Sequence, residues 1–167
     1  MEDLFEDEDE IFISDANQYF LFVTADQLYA LEALSVVEIV EYQNVTKVPR
    51  MNLAIKGVIN LRGEIIGVLD LKQRILNEKT QIHPRSALVI VQIPHEEQNL
   101  KIAILVDSIY EVDALDEDSF KLAPDFGTTI RADFIQHVTH YKEKNVLILD
   151  INTLLNVSEI SLLEEVS

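Results

Sequence analysis

The chain has 167 residues, 48 % of them hydrophobic and 26 % charged, with a net charge of −17. That length and composition suit one globular domain, or two small subdomains around a shared core, and exclude wholesale disorder. The absence of cysteine excludes disulfides, thiolate catalysis and Cys-ligated zinc or iron–sulfur centres, and the negative charge argues against nucleic acid or anionic lipid as the main partner.

Charge is unevenly placed. Residues 1–46 carry twelve acids and no Lys or Arg. Residues 47–85 carry eight bases against three acids, and residues 86–167 return to an acidic balance. The first fifteen residues alone hold eight acids and no base, so they read as a disordered acidic tail with too little apolar surface to offset ordering entropy. Phe12 and Ile13 are apolar residues near its end. A tail tethered near the basic block can compete with an acidic partner for it. Neither a secretory signal pattern nor an apolar run long enough to span a membrane occurs, so a cytoplasmic protein is expected, with no direct membrane insertion.

From Tyr19 the pattern is one of short strands. Tyr19–Val23 is a continuous apolar run, Thr24-Ala25-Asp26 supplies turn chemistry, and a second strand follows through Tyr29, Leu31 and Ala33. Val36–Val40 predicts a third strand with one acid, Glu38, in its middle; residues 47–56 read as a loop containing Pro49. Two β-rich runs then flank Arg62-Gly63, predicting a hairpin whose turn uses glycine for a positive backbone angle. Asp70 suits the N-cap of a short helix, Leu71–Leu76.

The second half repeats the plan. Ala87–Ile93 and Leu100–Val106 predict strands around a Pro94–Asn99 turn, and Ile109-Tyr110-Glu111-Val112 echoes Val36-Val37-Glu38-Ile39. Ile135–Tyr141 and Val146–Leu149 flank a second hairpin turn at Lys142-Glu143-Lys144-Asn145. Asp150, 80 residues after Asp70, precedes a helical turn at Ile151–Leu155. A structural duplication is expected, with halves at 16–85 and 86–158 and a C-terminal tail at 159–167. Many short strands with little helix point to small barrels or a sandwich.

Enzyme motifs are absent: there is no G-x-S-x-G, P-loop, G-x-G-x-x-G or H-E-x-x-H. His137 and His140, three apart on a predicted strand, leave it on opposite faces, which disfavours a shared metal. Asp116-Glu117-Asp118 lacks the remaining ligands of a calcium loop. Glu38 with Glu111, or Asp70 with Asp150, would supply paired carboxylates for general acid–base chemistry if the fold brought them together. No catalytic residue, cofactor or metal is assigned.

Gly57-Val58-Ile59-Asn60-Leu61-Arg62-Gly63, followed by Ile66-Gly67-Val68-Leu69-Asp70-Leu71, resembles the signature of the CheW family of chemotaxis coupling proteins. Val37-Glu38-Ile39-Val40, Val48-Pro49, Val106-Asp107-Ser108-Ile109 and Leu147-Ile148-Leu149-Asp150 extend the resemblance from about Gln18 to Leu155. Gly67 stands where the family usually has proline, and His137 near where it usually has glycine. The acidic N-terminal segment lies outside the family pattern.

The resemblance implies a mainly β fold of two intimately packed, five-stranded SH3-like barrels with short helices. It implies a non-enzymatic scaffold coupling chemoreceptor cytoplasmic tips to the regulatory domain of the histidine kinase CheA, itself of the same fold, in arrays at the membrane. Other CheW-like domains in array rings are further implied partners. Carried over residue by residue, Val36, Arg62, Gly63 and Val106 fall on the receptor-facing side, and Glu38, Lys56 and Gly57 on the kinase-facing side. An adaptor of a pilus or other non-flagellar chemosensory system, and a carboxylate-using enzyme, are the alternatives.

Overall fold

The structure is a computed structural model and describes residues 18–122 and 132–156. The acidic segment 1–15 and the tail 159–167 lie outside the described residues. Among the described residues, ten strands form two five-stranded sheets, with two short α-helices. In chain order they are β1 (Gln18–Thr24), β2 (Gln27–Glu32), β3 (Val36–Glu41), β4 (Ile55–Leu61), β5 (Glu64–Asp70), α1 (Leu71–Leu76), β6 (Ala87–His95), β7 (Gln98–Val106), β8 (Ser108–Ala114), β9 (Ile135–Tyr141), β10 (Lys144–Leu149) and α2 (Ile151–Leu154).

The duplication is present, but its halves do not form separate sheets. One sheet runs β8-β1-β2-β10-β9 and the other β3-β6-β7-β5-β4. Each therefore combines the opening hairpin of one repeat with the last three strands of the other. The division at 85/86 marks the sequence repeat; it is corrected as a boundary between barrels. The physical reason is strand pairing. The β6–β7 hairpin lies between β3 and β5, antiparallel to the first and parallel to the second; β1–β2 lies in the same way between β8 and β10. Parallel pairs need long crossovers, and the exchange between repeats supplies them.

Three apolar clusters follow from this exchange. Tyr19, Leu21, Ala30, Val146 and Ile148 pack within the first sheet's barrel, and Ile59, Ile66, Leu88, Ile90 and Leu105 within the second's. The largest cluster joins Phe22, Tyr29 and Leu31 of one sheet to Val89, Ile102 and Ile104 of the other, with Leu71, Ile75 and Leu154 from the helices. Period-2 alternation sends one face of β1 into its own barrel and the other into the shared core. Each fully buried aliphatic side chain contributes about 1.5–3 kcal/mol, so the shared core welds the sheets into one unit.

Hairpins are tighter than their polar composition suggests. The predicted Pro94–Asn99 turn shrinks to Glu96-Glu97, since β6 and β7 pair as far as His95 and Gln98. The predicted four-residue turn at 142–145 shrinks to Lys142-Glu143, because Lys144 and Asn145 pair with Tyr141 and His140. Left-handed backbone angles at non-glycine residues allow this: Ala25, Asp26, Arg62, Glu96, Lys142 and Glu143 all have positive φ. Pro94 is tolerated inside β6 because β3 pairs that strand only as far as Val91, leaving one side without a ladder.

Candidate functional site

Each sheet has two end strands, and each is closed in the same way. Just past β3, Thr46 exchanges two backbone hydrogen bonds with Val58 of β4, at 2.8 and 2.9 Å. Just past β8, Lys121 exchanges two with Val138 of β9, at 3.0 and 2.8 Å. A cation at the first position of the following hairpin turn then reaches back to the glutamate of the end strand. In the first seam this is Arg62 to Glu38; in the second it is Lys142 to Glu111, at 3.5 Å. Arg62 and Lys142 lie 80 residues apart, as do Val58 and Val138.

The structure thus brings together two residues that the resemblance assigned to different partners. Arg62 Nη2 donates to Glu38 Oε2; the Arg62 side chain is 68 % exposed and that of Glu38 31 %. Arg62 (φ 53) and Gly63 (φ 88) form a two-residue turn in which both positions are left-handed. Gly63 N–H donates to Asn60 Oδ1 at 2.8 Å, fixing the tip. A Cβ at Gly63 meets nothing within 4 Å, so its glycine serves backbone angle and open access rather than packing.

Gly57 is different. A Cβ there would lie 2.1 Å from the Thr46 carbonyl oxygen, so glycine is what lets the Thr46–Val58 bridge form. It is buried, and its place in the family signature has a structural cause. Its counterpart His137 is half-buried and lies against Phe120, ring centroids 5.4 Å apart. Val36 is half-buried at the start of β3, against the shared core. Val106 has 0 % exposure and belongs to that core, so its assignment to the receptor-facing surface is corrected: its side chain offers nothing to a partner. Spacing could not tell this, because an apolar residue at a strand end suits either role.

Lys56 borders a cavity of about 480 Å3 between the β3–β4 loop and the segment after α1. Lys47, Arg50 and Lys79 line it as well, with Val48, Pro49, Met51, Leu53 and Ile55 as apolar walls. This grouping was hidden in the sequence, where Lys79 lies far from the loop; only the net charge of block 47–85 hinted at it.

The acids weighed as catalytic pairs have other work. Asp70 is buried and accepts from Thr80 N at 2.9 Å, Thr80 Oγ1 at 2.6 Å and Gln73 N at 3.3 Å, capping α1. Asp150 accepts from Asn152 N and Thr153 N and caps α2. Arg74 of α1 donates to the carbonyls of Leu154 and Thr153 and lies over the Phe134 ring at 4.7 Å, tying the helices together. Glu111 and Asp113 share the Tyr141 hydroxyl, at 2.5 and 2.6 Å. These carboxylates push the Tyr141 phenol well above its ordinary range, and the phenol's hydrogen bond holds Asp113 below the usual carboxylate range. Among the described residues, neither Glu38 with Glu111 nor Asp70 with Asp150 shares a hydrogen-bond partner. Among the described residues no three His, Asp or Glu side chains cluster as metal ligands, and no helix is long and apolar enough to cross a membrane.

Two sheets built from exchanged repeats, with exposed turns at their seams and side-chain acids spent on caps, define a β-scaffold class of protein. Residues 18–159 match the CheW-like domain family, and the chain belongs to it. It is 25 % identical to the chemotaxis protein CheW of Klebsiella aerogenes over 150 residues, covering 90 % of this chain and 88 % of the relative. It is 29 % identical to that of Treponema pallidum over 147 residues, covering 86 % and 84 %. The crystal structure of the scaffolding protein TtCheW from Thermoanaerobacter tengcongensis superposes with a TM-score of 0.74 at 33 % identity, covering 83 % of this chain and 86 % of that one. As a CheW-like protein the chain is a chemotaxis adaptor, not an enzyme.

Proposed function

We propose that the chain couples chemoreceptor tips to the regulatory domain of the kinase CheA, working in the cytoplasm and recruited to membrane-associated arrays. The observation that carries this is the Arg62-Gly63 turn. It is glycine-opened and exposed, and among the described residues its guanidinium is held by a surface ion pair with Glu38. Exposed pairs of this kind contribute at most about 1 kcal/mol, so a partner's carboxylate or carbonyl can take the guanidinium over at little cost. The planar fork of Arg suits two oxygens at once, as at a helical hairpin tip. Exposed Val37 beside Glu38, and Ile65 just past the turn, add apolar surface for a helix to lie against.

Glu38 and Lys56, on either side of the same seam, are the residues we assign to the kinase side; Gly57 contributes by shaping the backbone between them. CheW-like domains of other chains would meet the same surfaces in array rings. Titration of the isolated CheA regulatory domain with Glu38→Lys and Lys56→Glu variants tests the assignment. Each should weaken binding, by about 1–3 kcal/mol if the contact is desolvated. Affinities equal to that of the parent chain would return both residues to a purely structural role.

A further inference from the structure

Block 47–85 holds eight bases, and three of them have side-chain partners within the fold. Arg62 pairs with Glu38, Lys72 lies 3.6 Å from Glu78, and Arg74 caps α2. Lys47, Arg50, Lys56 and Lys79 instead converge on the one cavity, and among the described residues none of them has a carboxylate within ion-pair distance. Asp70 is the sole acid of the lining, and its oxygens are occupied by Thr80 and Gln73. Four like charges around one opening repel one another, and in a chain of net charge −17 such a concentration stands out. The walls are apolar, with Leu53 75 % exposed at the rim. Such a cavity fits a ligand that is acidic and carries a few apolar side chains.

The chain contains such a segment. Residues 2–15 hold eight acids and no base, interrupted by Leu4-Phe5 and Phe12-Ile13. Phe12 is six residues from Gln18, where β1 begins, a span of up to about 20 Å when extended. Glu2 can reach about 55 Å from that anchor, at the same extension per residue. A domain of this size has a radius of gyration of about 15 Å, so every face is within range.

We propose that the N-terminal segment of this chain docks in its own basic cavity, with its acids on Lys47, Arg50, Lys56 and Lys79 and an apolar pair against Met51 and Leu53. The docking itself does not rest on the receptor–kinase reading. Its consequence does: a docked segment covers Lys56, so it would act as a tethered competitor of the kinase, released by salt or by a tighter partner.

The chain lacks cysteine, so Asp9→Cys creates a unique site for a nitroxide label and leaves the other seven acids in place. In about 0.01 M salt, where the screening length is about 30 Å, the full-length labelled protein should lose amide signal intensity selectively at Asn52, Leu53 and Lys56. The signals should return in about 1 M salt, where screening shortens to about 3 Å. They should also return in the Lys47→Glu/Arg50→Glu variant, which changes only exposed side chains, and return in part in Phe12→Ser/Ile13→Ser. Unperturbed cavity amides at low salt, or broadening spread evenly over the surface, would overturn the proposal. Broadening that appears only when nitroxide-labelled and isotope-labelled molecules are mixed would assign the occupant to a second copy and likewise overturn it.

Discussion

The two seams are built to one plan and finished differently. Both close with a paired backbone bridge, Thr46–Val58 or Lys121–Val138, and both add a cation from the adjoining hairpin turn to a glutamate on the end strand. In the first seam the backbones approach so closely that Gly57 is required, and the turn ends in Gly63 beside an exposed arginine. In the second, His137 replaces the glycine and lies against Phe120, while Lys142 sits over the Tyr141 ring at 5.1 Å beside two carboxylates that share the phenol. Closing a barrel therefore does not require an exposed Arg-Gly turn. The features peculiar to the first seam are the ones we propose for recognition, whereas the second is filled with its own contacts.

The largest expected break in this comparison is Gly57→Ala. The added methyl meets the Thr46 carbonyl, so the bridge must open, costing about 3 kcal/mol, at the upper end for overpacking. His137→Ala, at the matching place, should cost about 1 kcal/mol through the lost ring contact. Urea unfolding midpoints of the two variants compare them directly; equal losses would mean the seams are equally tight.

Next come the helix caps. Asp70→Ala leaves buried Thr80 and the first turn of α1 without an acceptor and should cost about 2 kcal/mol. Asp150→Ala removes a more open cap and should cost about 1 kcal/mol. A reversed order in thermal melts would contradict the burial difference between the repeats.

A smaller effect separates the seams by pH. The Tyr141 hydroxyl lowers the Asp113 pKa in the folded state, so this contact adds stability above the ordinary Asp pKa. That stability is lost as pH falls through the lowered folded value. Tyr141→Phe should therefore flatten the acid limb of the stability profile below about pH 4, near the ordinary Asp value. An unchanged acid limb would show that the phenol is not bound to the carboxylates. Smallest is the effect of Arg62→Ala on stability, under about 1 kcal/mol, because the pair it breaks is exposed.

Much of this was legible in the chain. Alternating and continuous apolar runs marked the strands, and Asp70 and Asp150 announced their helices because a carboxylate before a short apolar run is a local signal. The repeat showed in the 80-residue spacing. What could not be read was non-local. Which hairpin joins which sheet depends on pairings between distant strands, so the expected halves at 85/86 did not coincide with the barrels. The burial of Val106 and the convergence of Lys79 on the β3–β4 loop depend on that topology too. The Arg62–Glu38 contact crosses a seam that exists only once the sheet has curled. Turn lengths were overestimated because Lys144, Asn145 and Gln98 are polar strand residues, which composition alone assigns to loops.

We propose the first seam, and not its twin, as the surface that receives the chemoreceptor. Calorimetric titration of a receptor-tip fragment into the parent chain, Arg62→Ala and Lys142→Ala tests it most directly. We expect Arg62→Ala to abolish measurable binding while its melting temperature stays near that of the parent, and Lys142→Ala to bind like the parent. Equal affinity for all three, or loss confined to Lys142→Ala, would contradict it.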